Sequence, residues 1–386
     1  MGLNYAEPEH VTQLRRHLRH LCDELLPPSF TGAFSGDAES VDMAQAFCRE
    51  MGKQGLLALA WPAEFGGLER PLAEQTAMRE EMWAAHEPRG AQYMGANWVG
   101  PIIMRHGDPS QQRLHLPPIA AGEVVWCQGF SEPDAGSDLF ALNTRATRTG
   151  SDGWSITGQK MWTSYAAMAD WCFLLARTSP RSVGAQGISV FLVPMTAAGI
   201  EVRPIPNMLG VHHLNEVYLD DVHVPKSALL GVEGNGASIV RDVVALERVG
   251  VARYARCDKL LSGAPTAFGS MWEDMPSALH RRWALALLHT RETRLLAYRI
   301  VDQQGEGRLS PSAAASYRLA ATALDQEVAD VLLEMVGHAS LDPAGDATGY
   351  TAQVVDHWTY SRASTVASGT SEMQRRALAR AIGSRS

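Results

Sequence analysis

The sequence predicts a mostly helical α+β protein in which a block of antiparallel strands lies between two helical regions. Apolar residues recur every three or four positions up to about residue 122, which is the period of amphipathic helices. Short runs rich in Val, Ile, Trp, Tyr and Phe follow to about residue 230 and predict strands. The helical period then returns. We therefore expect an N-terminal helical domain over 1–122, a middle antiparallel β domain over 123–232 and a C-terminal helical domain over 233–386.

The N-terminal region contains three helical stretches. The first, "EPEHVTQLRRHLRHLCDELL", places Val11, Leu14, Leu18, Leu21 and Leu25 on one face. The stretches "VDMAQAFCREMGKQGLLALAWP" and "PLAEQTAMREEMWAAHEP" continue this period, and "PAEFGG" between them predicts a turn.

The middle region predicts a β barrel or sandwich, and the C-terminal region predicts long helices. Strands are expected in "EVVWCQGF", "TRATRTGSDGWSITG", "DWCFLLART", "ISVFLVP", "IEVRPIP" and "EVYLDDVHVP", with "TGSDGW" as a hairpin turn. Helices are expected at 235–262, 276–305, 311–338 and 347–363. The segment "SGAPTAFGS" (262–270) predicts an exposed loop.

Composition favours chemistry on small molecules. The net charge is −8 and the basic residues form no tract, which argues against a nucleic-acid surface. No apolar run reaches the roughly 18 to 20 residues of a membrane span. The five cysteines are scattered without metal-ligand spacing, so we expect reduced packing residues and no metal site. The chain starts without a secretory signal pattern, and we expect a cytoplasmic location.

Two segments of the middle region are candidates for ligand binding. The strand-to-loop segment "WCQGFSEPDAGSDL" offers backbone N–H groups and the hydroxyls of Ser131 and Ser137 to an anionic or polar ligand. In "GQKMWTSY", Trp162 stands beside Thr163 and Ser164, a combination that suits a planar heteroaromatic ring with polar edges. An ordinary loop and a core tryptophan are the structural alternatives.

The last segment, "SGTSEMQRRALARAIG" (368–383), predicts a capped helix. Ser371 and Gln374 have capping-box spacing, and Gly383 suits the C-terminal end. The free N–H groups and dipole at its start can bind a pyrophosphate, although a plain terminal helix explains the same pattern.

An acid occupies an apolar helical position in "VALERVG" (244–250). The residues three and four positions from Glu247 are Val or Gly, so its carboxylate falls on the apolar stripe. It is either an ion pair with Arg248 or Arg241, or a general base whose pKa is raised by apolar surroundings.

In their order along the chain, "SEPDAGSD", "GQKMWTS", "NEVYLDDVHVP", "LERVGVA" and "GTSEMQR" resemble the acyl-CoA dehydrogenase flavoprotein family, and the resemblance covers essentially the whole chain. It implies an N-terminal helical domain, a middle β domain and a C-terminal four-helix bundle, with FAD between the β domain, the bundle and a neighbouring subunit. It also implies removal of a proton alpha to a thioester carbonyl and hydride transfer from the β carbon to flavin N5, giving a trans-2-enoyl thioester.

The resemblance assigns the flavin ring to residues of the middle region. These cofactor-binding residues are Gln128, Phe130, Ser131, Trp162, Thr163 and Ser164. Phe130 and Ser131 would lie on the pyrimidine side, and Trp162 would flank the isoalloxazine. Hydroxyls of Thr163 and Ser164 would hydrogen-bond its N5 and O4 edge.

Four further residues receive roles from the same resemblance. Ser137 would lie near the phosphopantetheine or phosphate region of the thioester, and Gly369 would line the acyl site. Thr370 and Glu372 would reach the FAD phosphate and ribose, from their own or a neighbouring subunit.

The catalytic base is implied to be Glu247. Most family members carry the base immediately before a Gly-Thr pair, where this chain has Ser368. A minority, resembling isovaleryl-CoA dehydrogenase, place it in a Leu-Glu-Arg context on the first bundle helix, which here gives Glu247 with Arg248 as its positioning neighbour. The unperturbed Glu pKa of about 4.3 is low for a base near neutrality, and apolar burial raises it.

Two segments depart from the pattern of the homotetrameric members. "APTAFGSMWEDMP" and "EMVGHAS" stand where those members carry Arg-x-x-Phe-Gly and Gln-x-x-Gly-Gly-x-Gly, which serve the FAD adenylate and pyrophosphate. The pattern is closer to actinobacterial members that act on bulky substrates such as sterol side chains, some of which pair two different subunits, or to members that use carrier-protein thioesters.

The resemblance leaves three functions open. The first is an FAD-dependent dehydrogenase of an acyl-CoA or acyl-carrier-protein thioester that passes electrons to an acceptor like electron-transfer flavoprotein. The second is a non-catalytic subunit of a heteromeric dehydrogenase. The third is a flavin oxidase or monooxygenase on the same scaffold. We expect either a homo-oligomer or a heteromer with a related subunit.

Overall fold

The computed structural model describes residues 7–28, 30–32, 38–150, 153–208, 210–249, 252–342 and 349–383, without the side chains of 181–183, 210–212, 245 and 247–249. The described helices are α1 (Glu9–Leu25), α2 (Ala38–Lys53), α3 (Leu72–Ala84), α4 (Gln92–Met94), α5 (Gly100–His106), α6 (Pro109–Ala120), α7 (Gly236–Val249), α8 (Arg253–Phe268), α9 (Ser277–Gly305), α10 (Pro311–Val336), α11 (Tyr350–Ser361) and α12 (Ser371–Gly383). The described strands are β1 (Trp126–Gly129), β2 (Arg145–Thr149), β3 (Gly153–Ser164), β4 (Trp171–Arg177), β5 (Ile188–Pro194), β6 (Ile200–Asn207), β7 (Gly210–Pro225) and β8 (Leu229–Leu230). This order of helices, strands and helices confirms the predicted fold class.

The strands form one sheet in which antiparallel pairing predominates. Its order is β6-β7-β3-β2-β4-β5-β8, and β1 pairs with β4. The pairings of β1 and β2 with β4 are parallel. The predicted hairpin joins β2 to β3, with Thr149 opposite Gly153, while residues 151–152 of its turn lie outside the described residues.

One face of the sheet packs an apolar core. Trp154 of β3 meets Phe191 of β5 edge to face, with ring centroids 5.3 Å apart. Ile156, Leu174 and Val217 are buried in the same cluster. Alternation of buried and exposed residues along β3 follows from the period of two in a strand, so its outward positions are available to carry a site.

The chain folds into two compact units. We call residues 33–69 and 89–247 the sheet unit, and residues 1–32, 70–88 and 248–386 the helical unit. Helices α2 and α4–α7 therefore belong with the sheet, whereas α1 and α3 belong with α8–α12. Within the helical unit, α10 packs against α8, α9, α11 and α12, which is the bundle that the family resemblance implies.

A buried charge cluster joins four helices of the helical unit. Glu80 of α3 is 4% exposed and accepts hydrogen bonds from Arg294 Nε and the Tyr254 hydroxyl, both at 2.9 Å. Arg15 of α1 also pairs with Glu80, and it bonds Glu81 at 2.9 Å. Burial by itself raises the pKa of the Glu80 carboxyl, but the guanidiniums of Arg15 and Arg294 outweigh that effect and hold it below its ordinary value.

The prediction of an exposed loop at 262–270 is wrong, because α8 continues to Phe268 with Pro265 inside it. Proline lacks an N–H, so the carbonyl of Leu261 loses its helical partner. The indole of Trp283 in α9 replaces that partner, with Nε1 donating to the Leu261 oxygen at 2.9 Å. Ala264 and Phe268 are buried, which gives the segment the apolar contacts that a loop would not have.

Two predicted helical segments end earlier than their periodicity suggests. The segment at 235–262 is divided into α7, which ends at Val249, and α8, which begins at Arg253; residues 250–251 lie outside the described residues. Helix α2 ends at Lys53, and Gly55 follows with φ 69°, a left-handed conformation that glycine adopts readily.

Candidate functional site

A bulge near the end of β3 exposes the indole of Trp162. The antiparallel register with β7 shifts between Lys160 and Thr163, so β3 has one extra residue there relative to its partner strand. Trp162 lies in this bulge with φ 61°, a conformation that costs energy for a residue other than glycine, and its side chain is 53% exposed. A strained, exposed tryptophan is typical of a binding surface.

The loop that follows β1 lies against this bulge. The Met161 N–H donates to the Ser131 carbonyl at 2.9 Å, which joins the loop to β3. The ring of Phe130 is 5.9 Å from that of Phe173 in β4. Gln128 precedes them in β1 and stands opposite Phe173 in the parallel register. The structure therefore brings the sequence-predicted residues of β1 and β3 together.

Two buried donors beside the bulge, Gln128 Nε2 and Thr163 Oγ1, have no hydrogen-bond partner within the described part of the chain, and Thr163 is 1% exposed. The amide oxygen of Asn215, opposite Thr163 in β7, also has none. Ser164 Oγ lies 3.5 Å from His213 Nε2, which is at the long limit of a hydrogen bond. Burial lowers the pKa of His213 to about 4, so this imidazole is neutral near pH 7. Unsatisfied buried donors are uncommon in folded proteins, and these two are available to a ligand that brings acceptor atoms.

A buried ion pair that the sequence analysis did not identify holds the loop and the strand together. Lys160 is fully buried, and its Nζ bonds Glu132 Oε1 at 2.8 Å and the Phe130 carbonyl at 3.2 Å. Glu132 also accepts from the N–H groups of Asn143 at 2.6 Å and Thr144 at 2.9 Å. Glu132 lies in "SEPDAGSD" and Lys160 in "GQKMWTS", and a lysine inside a strand two residues before Trp162 was the available signal.

The pKa directions agree with a charged pair. Burial by itself raises the pKa of the Glu132 carboxyl, but the Lys160 ammonium and the donated hydrogen bonds outweigh burial and hold it below its ordinary value. Burial lowers the pKa of Lys160, and the Glu132 carboxylate opposes that shift. Lys160 therefore fixes both the backbone of Phe130 and the position of Glu132.

Ser137 lies in the exposed loop after Glu132 and is itself exposed. The loop turns through an isolated bridge between Glu132 and Ala135, and Ala135 is 1% exposed. The hydroxyl of Ser137 is thus presented to solvent on the segment that Lys160 and Glu132 anchor.

The start of α12 is built by local hydrogen bonds. Ser368 and Gly369 both have positive φ, of 57° and 90°. The Met373 N–H donates to Thr370 Oγ1 at 3.3 Å, and Gln374 Nε2 donates to the Gly369 carbonyl at 3.1 Å. Thr370 is therefore the N-cap, and the prediction that Ser371 caps the helix is wrong by one residue. The predicted helix start at Ser371 is confirmed.

Glu372 lies in the first turn of α12 and is exposed. Its own backbone N–H and the Thr370 hydroxyl lower the pKa of its carboxyl. Thr370 and Glu372 thus form one polar group at the helix start, where N–H groups and the helix dipole favour anions.

The predicted base falls in the last turn of α7. Helix α7 runs from Gly236 to Val249, so the backbone of Glu247 and Arg248 is helical as predicted. Their side chains lie outside the described part of the structure. Their roles stay predictions.

Three buried side chains that could ligate a metal meet in the helical unit. Cys257 Sγ is 3.9 Å from Asp325 Oδ1 and from His357 Nε2, and the last two atoms are 3.8 Å apart. Arg253 Nη1 donates a hydrogen bond to the other carboxylate oxygen, Asp325 Oδ2, at 3.2 Å. Burial lowers the pKa of His357 to about 4. We interpret the group as a buried polar network, because a guanidinium already neutralises its carboxylate.

Known proteins share both the sequence pattern and the fold. The models for the N-terminal, middle and C-terminal domains of acyl-CoA dehydrogenase match residues 8–123, 127–222 and 234–383. Acyl-CoA dehydrogenase IpdE1 of Mycolicibacterium smegmatis is 31% identical over 364 residues, which cover 89% of this chain and 88% of that protein.

Two solved structures extend the comparison. The Tcur3481-Tcur3483 steroid ACAD superimposes with a TM-score of 0.89 at 27% identity, over 100% of this chain and 99% of that chain. The ChsE4-ChsE5 complex of Mycobacterium tuberculosis gives a TM-score of 0.84 at 30% identity, over 99% of each chain. Both similarities extend over essentially the whole chain, so the fold is that of an oxidoreductase scaffold. The chain belongs to the acyl-CoA dehydrogenase family, a class of oxidoreductases that act on CH–CH bonds.

The residues around the bulge fit a flavin. The exposed indole of Trp162 offers a flat apolar face, and Gln128 Nε2 and Thr163 Oγ1 are donors without an acceptor in the described residues. The pyrimidine edge of a flavin carries acceptor atoms, and its ring system is flat.

Among the helices that the structure describes, none has the length and apolar character of a membrane span.

Proposed function

We propose that the protein catalyses FAD-dependent dehydrogenation of an acyl thioester to an enoyl thioester. The observation that carries the proposal is the strained, exposed Trp162 beside two buried donors that lack partners among the described residues, in a chain of this family. The proposal retains the three-domain division at 1–122, 123–232 and 233–386 and a cytoplasmic location.

Residues of the sheet unit would hold the flavin ring. Trp162 would pack against its flat face, and Gln128, Thr163 and Ser164 would bond its polar edge. Phe130 and Ser131 would lie on its pyrimidine side. When bound, FAD supplies an acceptor for the hydride that leaves the β carbon of the acyl chain. Lys160 would support this site indirectly, because it fixes the Phe130 carbonyl and Glu132.

The start of α12 would serve the rest of the cofactor and the substrate. Thr370 and Glu372 would reach the FAD phosphate and ribose, in the same or a neighbouring subunit. Gly369 would line the acyl site, where the absence of a side chain leaves room for the substrate. Ser137, exposed on its anchored loop, would contact the phosphopantetheine or phosphate region.

Glu247 would remove the proton alpha to the thioester carbonyl, with Arg248 as its positioning neighbour. Support comes from the apolar neighbours of Glu247 on helix α7 and from Ser368, a residue that cannot serve as a carboxylate base. The proton would pass to the Glu247 carboxylate and a hydride would leave the β carbon for the flavin, so the acyl chain would lose one proton and one hydride, which are two hydrogens and two electrons in all.

We propose a bulky or branched acyl group as substrate, carried by CoA or a carrier protein. The support is the similarity to a steroid ACAD at 27% identity over the whole chain. Electrons would pass to an acceptor like electron-transfer flavoprotein.

A second candidate is a non-catalytic subunit of a heteromeric dehydrogenase. The observation that favours it is Ser368, which stands where most family members have the base. In that case Glu247 is a structural acid, and the protein needs a second chain that carries its own carboxylate.

The proposal is tested by purifying the protein, recording its flavin absorbance and offering it a panel of acyl thioesters. We expect a yellow protein and a product lighter than the substrate by two hydrogens, as measured by mass spectrometry. A colourless protein that cannot be reconstituted with FAD contradicts the proposal. Comparing an artificial electron acceptor with dioxygen separates a dehydrogenase from an oxidase.

Glu247→Gln is expected to retain bound flavin and to lose turnover by about 10²- to 10⁴-fold, the usual contribution of a general base. Glu201→Gln, at an exposed position of β6, is the matched control and should turn over normally. Normal turnover of the Glu247 variant rules out its role as base. If wild type and control are inactive alone but active with a related chain, the non-catalytic subunit is the better interpretation.

A further inference from the structure

A cavity of about 560 Å³ lies between three helices of the helical unit. Its lining residues fall within 296–303 of α9, 310–317 at the start of α10 and 378–382 of α12, and we call it the α12 cavity. None of these described lining residues belongs to the candidate site around Trp162 and Gly369. Small-molecule sites have volumes of about 300–1,000 Å³, so this cavity is large enough to hold a ligand of its own.

One part of the cavity wall is apolar. It consists of Leu296 and Ile300 from α9 and of Leu378, Ala381 and Ile382 from α12. Ile300 is 4% exposed, whereas Leu296 and Ile382 are 38% and 72% exposed. The apolar wall therefore extends from a buried floor to an open mouth, which favours a ligand with an apolar body.

The polar part of the wall carries a single kind of charge. Arg299, Gln303, Ser310 and Ser312 belong to it, and no Asp or Glu is found among the described residues that line the cavity. Arg299 is exposed, and within the described part of the chain its guanidinium has no hydrogen-bond or ion-pair partner. The cavity is thus complementary to a ligand that carries one anionic group.

Hydrogen-bonding groups of the polar wall are incompletely used. Gln303 Oε1 is buried and has no partner among the described residues, and rotation of the amide would place its NH₂ group there instead. Ser310 Oγ accepts from the Ala313 N–H at 3.1 Å and lies 3.1 Å from Ser312 Oγ. Only one of these two hydroxyls donates in that contact, so the hydrogen of the other is left for an acceptor.

We propose that the α12 cavity binds a free carboxylic acid with an apolar body, at a site separate from that of the acyl thioester. A carboxylate only accepts hydrogen bonds, which matches a guanidinium, a serine hydroxyl and a side-chain NH₂ group. The stretch 296–303 is about 10 Å long, at about 1.5 Å per residue, and sets the length of the apolar body.

Other classes of small molecule fit the wall less well. An inorganic anion would leave the apolar side chains of α9 and α12 in contact with water, and a neutral lipid would leave Arg299 without a counter-charge. Binding of the acid requires neither flavin nor turnover, so this proposal and the proposed function can fail independently.

The first test titrates the full-length protein with 11-(dansylamino)undecanoic acid, whose fluorescence rises in apolar surroundings. We expect saturable binding of one molecule per chain. The methyl ester of the same compound lacks the negative charge and should bind about tenfold more weakly, because a charge-assisted hydrogen bond is lost.

The second test removes the cation. Arg299→Gln should weaken binding of the acid by about tenfold and change binding of the ester by less than about twofold, because only the acid pairs with the guanidinium. Arg299→Lys should bind the acid within about threefold of wild type. Arg291→Gln, at an exposed arginine of α9 outside the cavity, is the matched control and should bind both compounds like wild type.

The third test fills the cavity. Ala313→Phe on α10 should weaken binding of the acid and of the ester alike, by about tenfold or more, because the ring occupies the space of the apolar body. Ala381→Phe fills the cavity from α12 and keeps the test informative if the first variant does not fold. Ala379→Phe, at an exposed position of α12 outside the cavity, is the matched control. Circular dichroism checks that each variant folds.

The outcomes separate the proposal from its alternatives. Selective loss of acid binding in Arg299→Gln, together with loss of both compounds in the filled variants, supports it. Equal weakening of acid and ester in Arg299→Gln would show a purely structural arginine and overturn it. Unchanged binding in both filled variants, or no saturable binding to wild type up to about 100 μM, would overturn it as well.

Discussion

The two compact units each contain a buried charge group, and the groups differ in how many partners they have. In the sheet unit, the Lys160 ammonium has one carboxylate partner among the described residues, Glu132. In the helical unit, Glu80 pairs with Arg15 and Arg294 and accepts from Tyr254 and Tyr298. A lone buried pair leaves an uncompensated charge when one member is removed, whereas a network retains other partners. The difference predicts which unit tolerates substitution.

Lys160→Met should have the largest effect on stability. Removing the ammonium leaves the Glu132 carboxylate buried without a counter-charge, and breaking such a pair costs about 3–5 kcal/mol. The free energy of unfolding measured in urea should fall by that amount, and the affinity for FAD should fall with it because Phe130 and Glu132 lose their anchor.

The matched control for this substitution is the double variant Lys160→Met/Glu132→Gln. Removing both charges should recover more than half of the lost stability, because no unpaired charge remains. A loss below about 1 kcal/mol in Lys160→Met would show that water reaches Glu132 and that the pair is not isolated.

Glu80→Gln should have an intermediate effect. Arg15 retains Glu81 and Glu7, and Arg294 is half-exposed, so the loss is that of hydrogen bonds to a charged group, about 1.5–3 kcal/mol. The urea unfolding curve measures the change, and flavin affinity should stay as in wild type. Glu50→Gln, which removes a surface pair with Lys53, is the control and should change stability by under about 0.5 kcal/mol. A loss for Glu80→Gln as large as that for Lys160→Met would contradict the proposed redundancy.

A buried histidine of the helical unit should give a smaller effect that depends on pH. Burial lowers the pKa of His357 to about 4, against an ordinary value of 6.5. Between these values the unfolded chain binds one more proton than the folded chain, so stability falls as pH falls from 6.5 towards 4. Between pH 6.5 and 5.5, the free energy of unfolding of wild type should therefore fall by about 1 kcal/mol more than that of His357→Gln.

Urea unfolding of His357→Gln and wild type at both pH values measures how the free energy of unfolding changes with pH, which is the slope compared here. His20→Gln, at an exposed position of α1, is the control and should leave the slope unchanged. Parallel curves for wild type and His357→Gln would show that His357 is protonated in the folded protein at pH 5.5.

Much of the candidate site could be predicted from sequence because its residues lie in short contiguous motifs. "GQKMWTSY" indicated the polar and aromatic cluster, and the structure adds the bulge that exposes Trp162. The Lys160–Glu132 pair was missed, because its members are separated by 27 intervening positions and meet only when β3 packs beside the loop after β1. The helix cap was misassigned by one residue, since Thr370 and Ser371 both have side chains suited to an N-cap.

By itself, the sequence determined the type and order of the elements, because periods of 3.6 and 2.0 residues are properties of a single segment. It also determined the family, through motifs that keep their order along the chain. Only the tertiary structure decided that α8 passes through Pro265, because Trp283, 22 residues after Leu261, supplies the donor that the Leu261 carbonyl lacks. Only the tertiary structure likewise grouped α1 and α3 with the C-terminal helices, since burial of Glu80 depends on cations and hydroxyls from three other helices.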